Sequence, residues 1–400
     1  MITTLKLIYK YSFKILHVFF ISKLGKLLYR GGEMNFSQSL IYLLRSYGAL
    51  HFFGVPGDYI LKFFDQAHQM GHPIMVSCDE QGAGFSADAY ARLNGIGVVV
   101  CTYGVGGLKL INSTAQAFSE KSPVIVVSAL PSEMDRQKSL FLHHQSNSYE
   151  SQKHIFDEIT VGSLRIEDIH SSIQDCQLLI EQCLHYQQPV YIEIPTDLLT
   201  HQVIPYACPS FTFPVHRGDL FQSFVSLVEK KVSQSNSIVL LLGLEVQRFG
   251  LQDRVLSFAE KSSIPMCTSI LGKSVIPEQH PLFLGVFEGC IHNQSVQDYI
   301  LACDLVICIG FLPTDVNLGL FTSKIDFTQQ VIVCFDYCSI DGKNFPDLSM
   351  REVLDSFLSI TPPLQKNFPS ILPPDHFTAP FIPVQKKMTT QRFFHCLNFH

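Results

Sequence analysis

Four hundred residues, 46% hydrophobic and 16% charged, can fill two or three packed domains and carry too little charge for a disordered chain. A net charge of −6 with no long basic block excludes a nucleic-acid-binding surface of the usual electrostatic kind. The twelve cysteines include no CxxC pair, and most sit in apolar runs, as Cys101 does after Val98-Val99-Val100. They read as reduced thiols packed as small hydrophobes in a cytoplasmic protein, not as a disulfide framework or a zinc site.

In chain order, residues 1–33 differ in kind from the rest. Lys6, Lys10, Lys14, Lys23, Lys26 and Arg30 are interleaved with Leu, Ile, Phe and Tyr, and no acid precedes Glu33. The longest uncharged run, 15–22, is too short to span a bilayer, and no small-residue cleavage site follows it. Two readings stand: an interfacial basic helix, or an extension upstream of a start at Met34. The second is preferred, and no membrane partner is expected.

Apolar spacing predicts a helix over 37–47, then a strand over 50–53 running into Gly54-Val55-Pro56-Gly57. Asp58 opens a helix to about 68, followed by a strand at 73–77. A helix from Glu80 to about 93 carries Gly82, Ala83, Gly84, Ala87, Ala89 and Ala91, small residues that admit another backbone closely. A strand at 97–102, a turn with Gly104, Gly106 and Gly107, a helix to 120 and strands at 123–128 and 190–194 follow. Apolar strands alternating with helices predict a parallel sheet covered on both faces. A second such unit has strands at 237–242, 265–269, 304–309 and 330–335, with helices near 252–261 and 294–302. The expected organisation is an extension at 1–33, a first domain at 34–204 and a linker at 205–214. A second domain at 215–361, a Pro-rich linker at 362–383 and a stump of a further domain at 384–400 complete it.

Three places could carry chemistry, and each has a plainer alternative. Asp58 follows a tight turn, where an acid often caps a helix. Glu80, taken alone, is an acid in a first helical turn, complementing the dipole. His143-His144 lies in a predicted loop, where adjacent histidines are commonly one buried and one solvated residue. In the second unit Gly243 and Gly310 follow strands, but neither begins a GxGxxG, so no nucleotide site is assigned.

Taken together, "FGVPGDYILKFFD", "DEQGAGFSADAYARLNG", "VVVCTYGVGG", "AFSEKSPVIVVSALP" and "LFLHHQ" resemble, in one order, the pyrimidine-binding domain of thiamine-diphosphate-dependent 2-oxo acid decarboxylases. That group contains the pyruvate, indolepyruvate and phenylpyruvate decarboxylases. The likeness continues through "LEVQRFGL", "LGKSVIPEQHPLFLGVFEG" and "TDVNLGLFT", covering roughly 36–360. It implies two three-layer parallel-sheet α/β domains, a pyrimidine domain and a central Rossmann-like domain. The third domain, whose Gly-Asp-Gly…Asn segment holds magnesium and the diphosphate, is missing from these 400 residues, and no metal ligand is assigned within them.

By the resemblance, Glu80 hydrogen-bonds the cofactor's pyrimidine, with Thr102 and Gly104 beside it. Asp58, Glu80, His143 and His144 form the catalytic set, and Asp58 and the histidines handle protons on the substrate-derived intermediate before an aldehyde leaves. The His-His pair separates the chain from acetolactate-synthase-like relatives, which generally lack it. The continuation Gln145-Ser146-Asn147-Ser148-Tyr149 and "QKHIFDEITVG" is closer to the phenylpyruvate/indolepyruvate branch, so an aryl 2-oxo acid is favoured over pyruvate. Expected partners are that small molecule, a second copy in a homodimer, and a complementary third-domain chain. The rival reading is a non-catalytic folded remnant of a truncated decarboxylase gene.

Overall fold

A strand in contact with core on both faces needs no polar alternation, and the Val/Ile runs of this chain meet that description. In the computed structural model Gly97–Thr102, Val124–Leu130 and Val190–Pro195 are buried at every residue. The structure describes residues 34–203 apart from 73, 139 and 140, residues 218–360 apart from 292 and 336, and residues 387–399. The expected N-terminal extension and both Pro-bearing linkers lie outside the described residues. The chain separates into two compact units that divide between Phe213 and Pro214.

The first unit runs β1 (Met34–Asn35), α1 (Phe36–Ser46), β2 (Phe52–Gly54), a 3-10 turn (Asp58–Ile60), α2 (Leu61–Gln69), β3 (Ile74–Val76), α3 (Glu80–Asn94) and β4 (Gly97–Thr102). It continues with α4 (Val105–Lys109), α5 (Ile111–Ser119), β5 (Val124–Leu130), α6 (Glu133–Gln137), α7 (Ser151–Glu158), β6 (Ser163–Arg165), α8 (Ser172–Tyr186), β7 (Val190–Pro195) and β8 (Gln202–Val203). The main sheet has the order β3-β2-β4-β5-β7-β6 and is parallel throughout. Period-2 alternation along β4 splits the core in two. Val98 and Val100 join Phe36, Leu40, Phe52 and Ile180 on one face; Val99 and Cys101 join Ala83, Ala87 and Phe156 on the other. The small residues of α3 do admit close neighbours: a Cβ on Gly84 would meet Ser113 Oγ at 2.0 Å, and one on Gly97 would meet the Ala87 carbonyl at 2.1 Å.

Chain order leaves β2 for β3 on one side and later returns to β4 on the other. The topological switch point therefore lies between β2 and β4, and open α/β sheets bind ligands outside the carboxyl ends of strands at such a point.

Two short features escaped the sequence pattern. Edge strand β6 is only Ser-Leu-Arg, too brief and polar to register as a period. The antiparallel pair β1–β8 joins Met34 to Val203 and Asn35 to Gln202, and Asn35 also closes a capping box with Gln38 at the start of α1.

The second unit contains α9 (Asp219–Gln234), β9 (Ile238–Leu242), α10 (Glu245–Arg248), α11 (Gln252–Lys261), β10 (Met266–Ser269), β11 (Phe283–Phe287) and α12 (Gln294–Ala302). After these come β12 (Leu305–Ile309), β13 (Val331–Val333), β14 (Tyr337–Ile340), β15 (Lys343–Pro346), α13 (Met350–Phe357) and α14 (Thr390–Phe399). Its sheet order is β11-β10-β9-β12-β13-β14-β15. The first five strands are parallel, and β14 and β15 close the edge antiparallel. The cause is local: Asp341-Gly342 is a two-residue hairpin loop with φ of 50° and 73°, the positive-φ pair that such turns require. No helix among the described residues is long and apolar enough to cross a membrane.

Candidate active site

Four loops leave the carboxyl ends of the first sheet around its switch point, and they carry the residues singled out in the sequence. The β2 loop is pressed against the end of β4. A Cβ on Gly54 would lie 2.3 Å from the Val100 carbonyl, and one on Gly57 would lie 2.6 Å from Thr102 Cβ. Glycine at 57 thus lets Asp58 reach across the switch point. Its carboxylate accepts from Thr102 Oγ1 at 3.0 Å and meets His143 Nε2 at 2.5 Å. Gly57 caps the following turn without a side chain, so the oxygens of Asp58 turn to the site as well as to the helix start. Burial alone would raise this carboxyl's pKa, but His143, the Tyr59 N–H and Thr102 together hold it below the ordinary aspartate value.

His143 is engaged at both nitrogens. Nε2 faces Asp58, and Nδ1 lies 3.0 Å from the Tyr59 hydroxyl, whose ring stacks on the imidazole at 5.1 Å. Burial, with Asp58 and Asp135 behind it, raises the Tyr59 pKa, so the phenol keeps its proton. A Tyr59 O–H donating to Nδ1 leaves a proton on Nε2, which then donates to Asp58. The His144 ring packs 4.5 Å from that of His143, and its backbone is left-handed at φ 66°. Both imidazoles are exposed, not one buried and one solvated. Among the described residues Asp58, His143 and His144 bring their oxygen and nitrogen atoms within 4.8 Å of one another. The Asp58–His143 hydrogen bond joins two of these three groups.

Glu80 begins α3, but the cap is its neighbour: Asp79 accepts from the Gly82 N–H at 2.7 Å. The plain helix-start role is therefore already filled. Glu80 is half-buried, and among the described residues nothing donates a hydrogen bond to its carboxylate. The turn after β4 stands against it, with a hypothetical Cβ at Gly106 falling 3.1 Å from Thr102 Cγ2 and 3.4 Å from Glu80 Oε1. Any side chain at 106 would fill the space before that carboxylate. Thr102 is thus the hinge of the site, touching Asp58 on one side and the Glu80 cradle on the other. Gly104 serves differently: at φ 71°, a Cβ there would meet the His144 carbonyl at 2.1 Å, so it lies under the histidine loop.

Two neighbours were not foreseen. Tyr59 sits beside Asp58 in sequence, and that adjacency was its one legible signal. Gln152 is 1% exposed and accepts from the Gly104 N–H at 2.8 Å; a lone polar residue in a helix gives no such sign. The thiols follow the sequence reading: Cys101, Cys176, Cys183, Cys267, Cys308, Cys334 and Cys338 are buried and outside any disulfide. Burial pushes the Cys101 thiol up to about 12, with its Ser128 hydrogen bond opposing.

Residues 34–157 match the family described as thiamine pyrophosphate enzyme, N-terminal TPP binding domain, and residues 226–359 match the thiamine pyrophosphate enzyme central domain. The chain is 29% identical over 333 residues to an indole-3-pyruvate decarboxylase of Azospirillum brasilense, covering 82% of this chain and 61% of that protein. It is 31% identical over 315 residues to a pyruvate decarboxylase of Candida albicans, covering 77% and 56%. An alpha-keto-acid decarboxylase of Mycobacterium leprae is 28% identical over 361 residues, covering 88% and 62%. The chain thus spans about three fifths of the length of the curated relatives it matches.

Proposed function

The chain belongs to the thiamine pyrophosphate enzymes, and on that premise we propose that it supplies the pyrimidine-side half of an active site for non-oxidative decarboxylation of a 2-oxo acid to an aldehyde. One observation carries the reading. A half-buried carboxylate without a hydrogen-bond donor, Glu80, and a paired Asp58–His143–Tyr59 relay converge at the switch point of one parallel sheet. The fit is to half of the cofactor: Glu80, Thr102 and the bare backbone at Gly106 suit a flat aminopyrimidine edge. Magnesium and the diphosphate take their ligands from another segment, in the same polypeptide or a second one.

Thiamine diphosphate, when bound, supplies the electron sink that decarboxylation requires. Glu80 holds a proton at a pyrimidine ring nitrogen, general acid–base work suited to a partly dry carboxylate. Asp58 keeps His143 oriented by accepting the hydrogen bond from Nε2. Tyr59 fixes the tautomer from the other side. His143 and His144, both exposed at the mouth, face the substrate side and serve the proton that the leaving aldehyde needs.

Favouring an aryl substrate rests on the residues after His144 and on the similarity to the indole-3-pyruvate decarboxylase of Azospirillum brasilense. A homo-oligomer in a reducing, cytoplasmic compartment is in keeping with the buried thiols and with a half-site that needs completion. The test is aldehyde release from indolepyruvate, phenylpyruvate and pyruvate once the chain is joined to a segment carrying the Gly-Asp-Gly…Asn motif. Turnover that survives replacement of both Glu80 and Asp58 would remove these residues from the reaction.

A further inference from the structure

A carboxamide packed in a protein interior is costly unless each of its hydrogen-bonding groups finds a partner. Gln152, on α7, is 1% exposed and meets that demand in full. Its Oε1 accepts from the Gly104 N–H at 2.8 Å, and its Nε2 donates to Ser128 Oγ at 3.0 Å and to the Tyr191 hydroxyl. The Tyr191 O–H donates to Glu193 Oε1 at 2.8 Å, and Arg165 Nε donates to the other oxygen of Glu193 at 2.7 Å. Arg165 then reaches Glu150 at 2.7 Å. Donors and acceptors run in one direction, from the Gly104 amide to a fully buried carboxylate held by a guanidinium. That direction fixes which way round the Gln152 amide sits. Gly107 packs on the same group, since a Cβ there would be 2.4 Å from its carbonyl carbon and oxygen.

We infer that Gln152 is a positioning residue of the candidate active site, setting the Gly104 turn against which the His143-His144 loop rests. The inference depends on the reading of that site given above and deepens it. Gly104 has φ 71° and ψ −108°, a conformation open to glycine but not to residues with a side chain. The turn has two neighbours: Gln152 on its amide, and the His144 backbone where a Cβ would go. Thr102, which holds Asp58, is two residues before it. Loosening the Gly104 amide therefore loosens both partners of the Asp58–His143 hydrogen bond at once.

The test uses the 400-residue chain and needs neither cofactor nor turnover, so it stands or falls separately from the proposed reaction. Gln152→Met keeps the length and removes the acceptor. Loss of one hydrogen bond to a buried amide should speed Gly104 amide exchange about two- to tenfold, while the β4 amides at 98–100 exchange as before. The Asp58 carboxyl, followed by carbon NMR, should titrate closer to the ordinary aspartate value. Tyr191→Phe retains the ring stack on Phe156 at 4.0 Å and removes the hydroxyl that orients Gln152. It should move both readouts the same way by less, and it carries the test if Gln152→Met does not fold. Wild-type Gly104 exchange and Asp58 titration in a folded variant overturn the inference, as does a uniform rise in exchange across the first unit.

Discussion

Glu80 is the residue on which the proposed chemistry turns. In the enzyme completed with its diphosphate-binding segment, Glu80→Gln should lower the decarboxylation rate about 100-fold or more, the scale of a lost acid–base group. The same substitution should abolish the weak binding of a free aminopyrimidine fragment to the 400-residue chain. Equal fragment binding by variant and wild type would place the pyrimidine elsewhere. His72 offers a prediction of another kind. It is 3% exposed, its ring lies 4.0 Å from that of Phe52, and neither nitrogen bonds to a described residue. Burial first, then the charge of Arg45 and His51, lowers its pKa from 6.5 to about 4. The unfolded chain therefore takes up a proton here that the folded chain refuses between those two values. Stability is intact above pH 6.5 and falls toward pH 4, by at most about 1.4 kcal/mol per pH unit for one proton. Urea unfolding at pH 7.5, 6 and 5 should show a smaller loss for His72→Leu than for wild type; identical losses would clear His72 of the effect.

At the scale of elements, left-handed glycines serve two separate ends here. Gly95 ends α3 at φ 94° with nothing within 4 Å of a hypothetical Cβ. Gly95→Ala should cost only the backbone term, about 1–2 kcal/mol, and leave the site unchanged. Gly104 has the same freedom plus a neighbour, the His144 carbonyl at 2.1 Å. Gly104→Ala should be more damaging than Gly95→Ala in denaturant unfolding. It should also shift the His143 and His144 ring resonances, which Gly95→Ala should not. Equal, site-silent effects from the two would mean that the loop adapts and the Gly104 contact is unimportant.

For the whole molecule, the question is how tightly half a site binds. Most of the affinity for thiamine diphosphate should come from its charged diphosphate, held through magnesium and backbone N–H groups. On the proposed reading the residues assembled here would meet the pyrimidine alone, in a mouth open enough that the Asp58 side chain is 45% exposed and His143 60%. Binding must still overcome lost translational and rotational freedom, and water weakens each electrostatic contact. A polypeptide of these 400 residues should therefore show no micromolar, magnesium-dependent binding by calorimetry and no steady aldehyde formation. Observing both would mean that residues read as structural hold the diphosphate.

Local pattern in the sequence sufficed for much of this protein. Val/Ile runs placed the central strands, since burial on both faces leaves no other use for them, glycines at 54, 57, 104, 106 and 107 marked turns, and the small residues of the Glu80 helix marked where backbone passes closely. Asp58, Glu80, Thr102 and His143-His144 were legible through the ordered motifs around them. The Asp341-Gly342 hairpin carries its signal in the turn residues themselves. Partnership was the part that only the tertiary structure decided. Asp58 meets Thr102 and His143 across separations of 44 and 85 residues, and Gly104 meets Gln152 across 48. Those meetings depend on strand order and register, with β2 beside β4 and β4 beside β5, which no local window contains. Whether an acid caps a helix or stands without a partner is likewise a matter of what the fold brings to it: Asp79 took the cap, and Glu80 has no hydrogen-bond donor among the described residues.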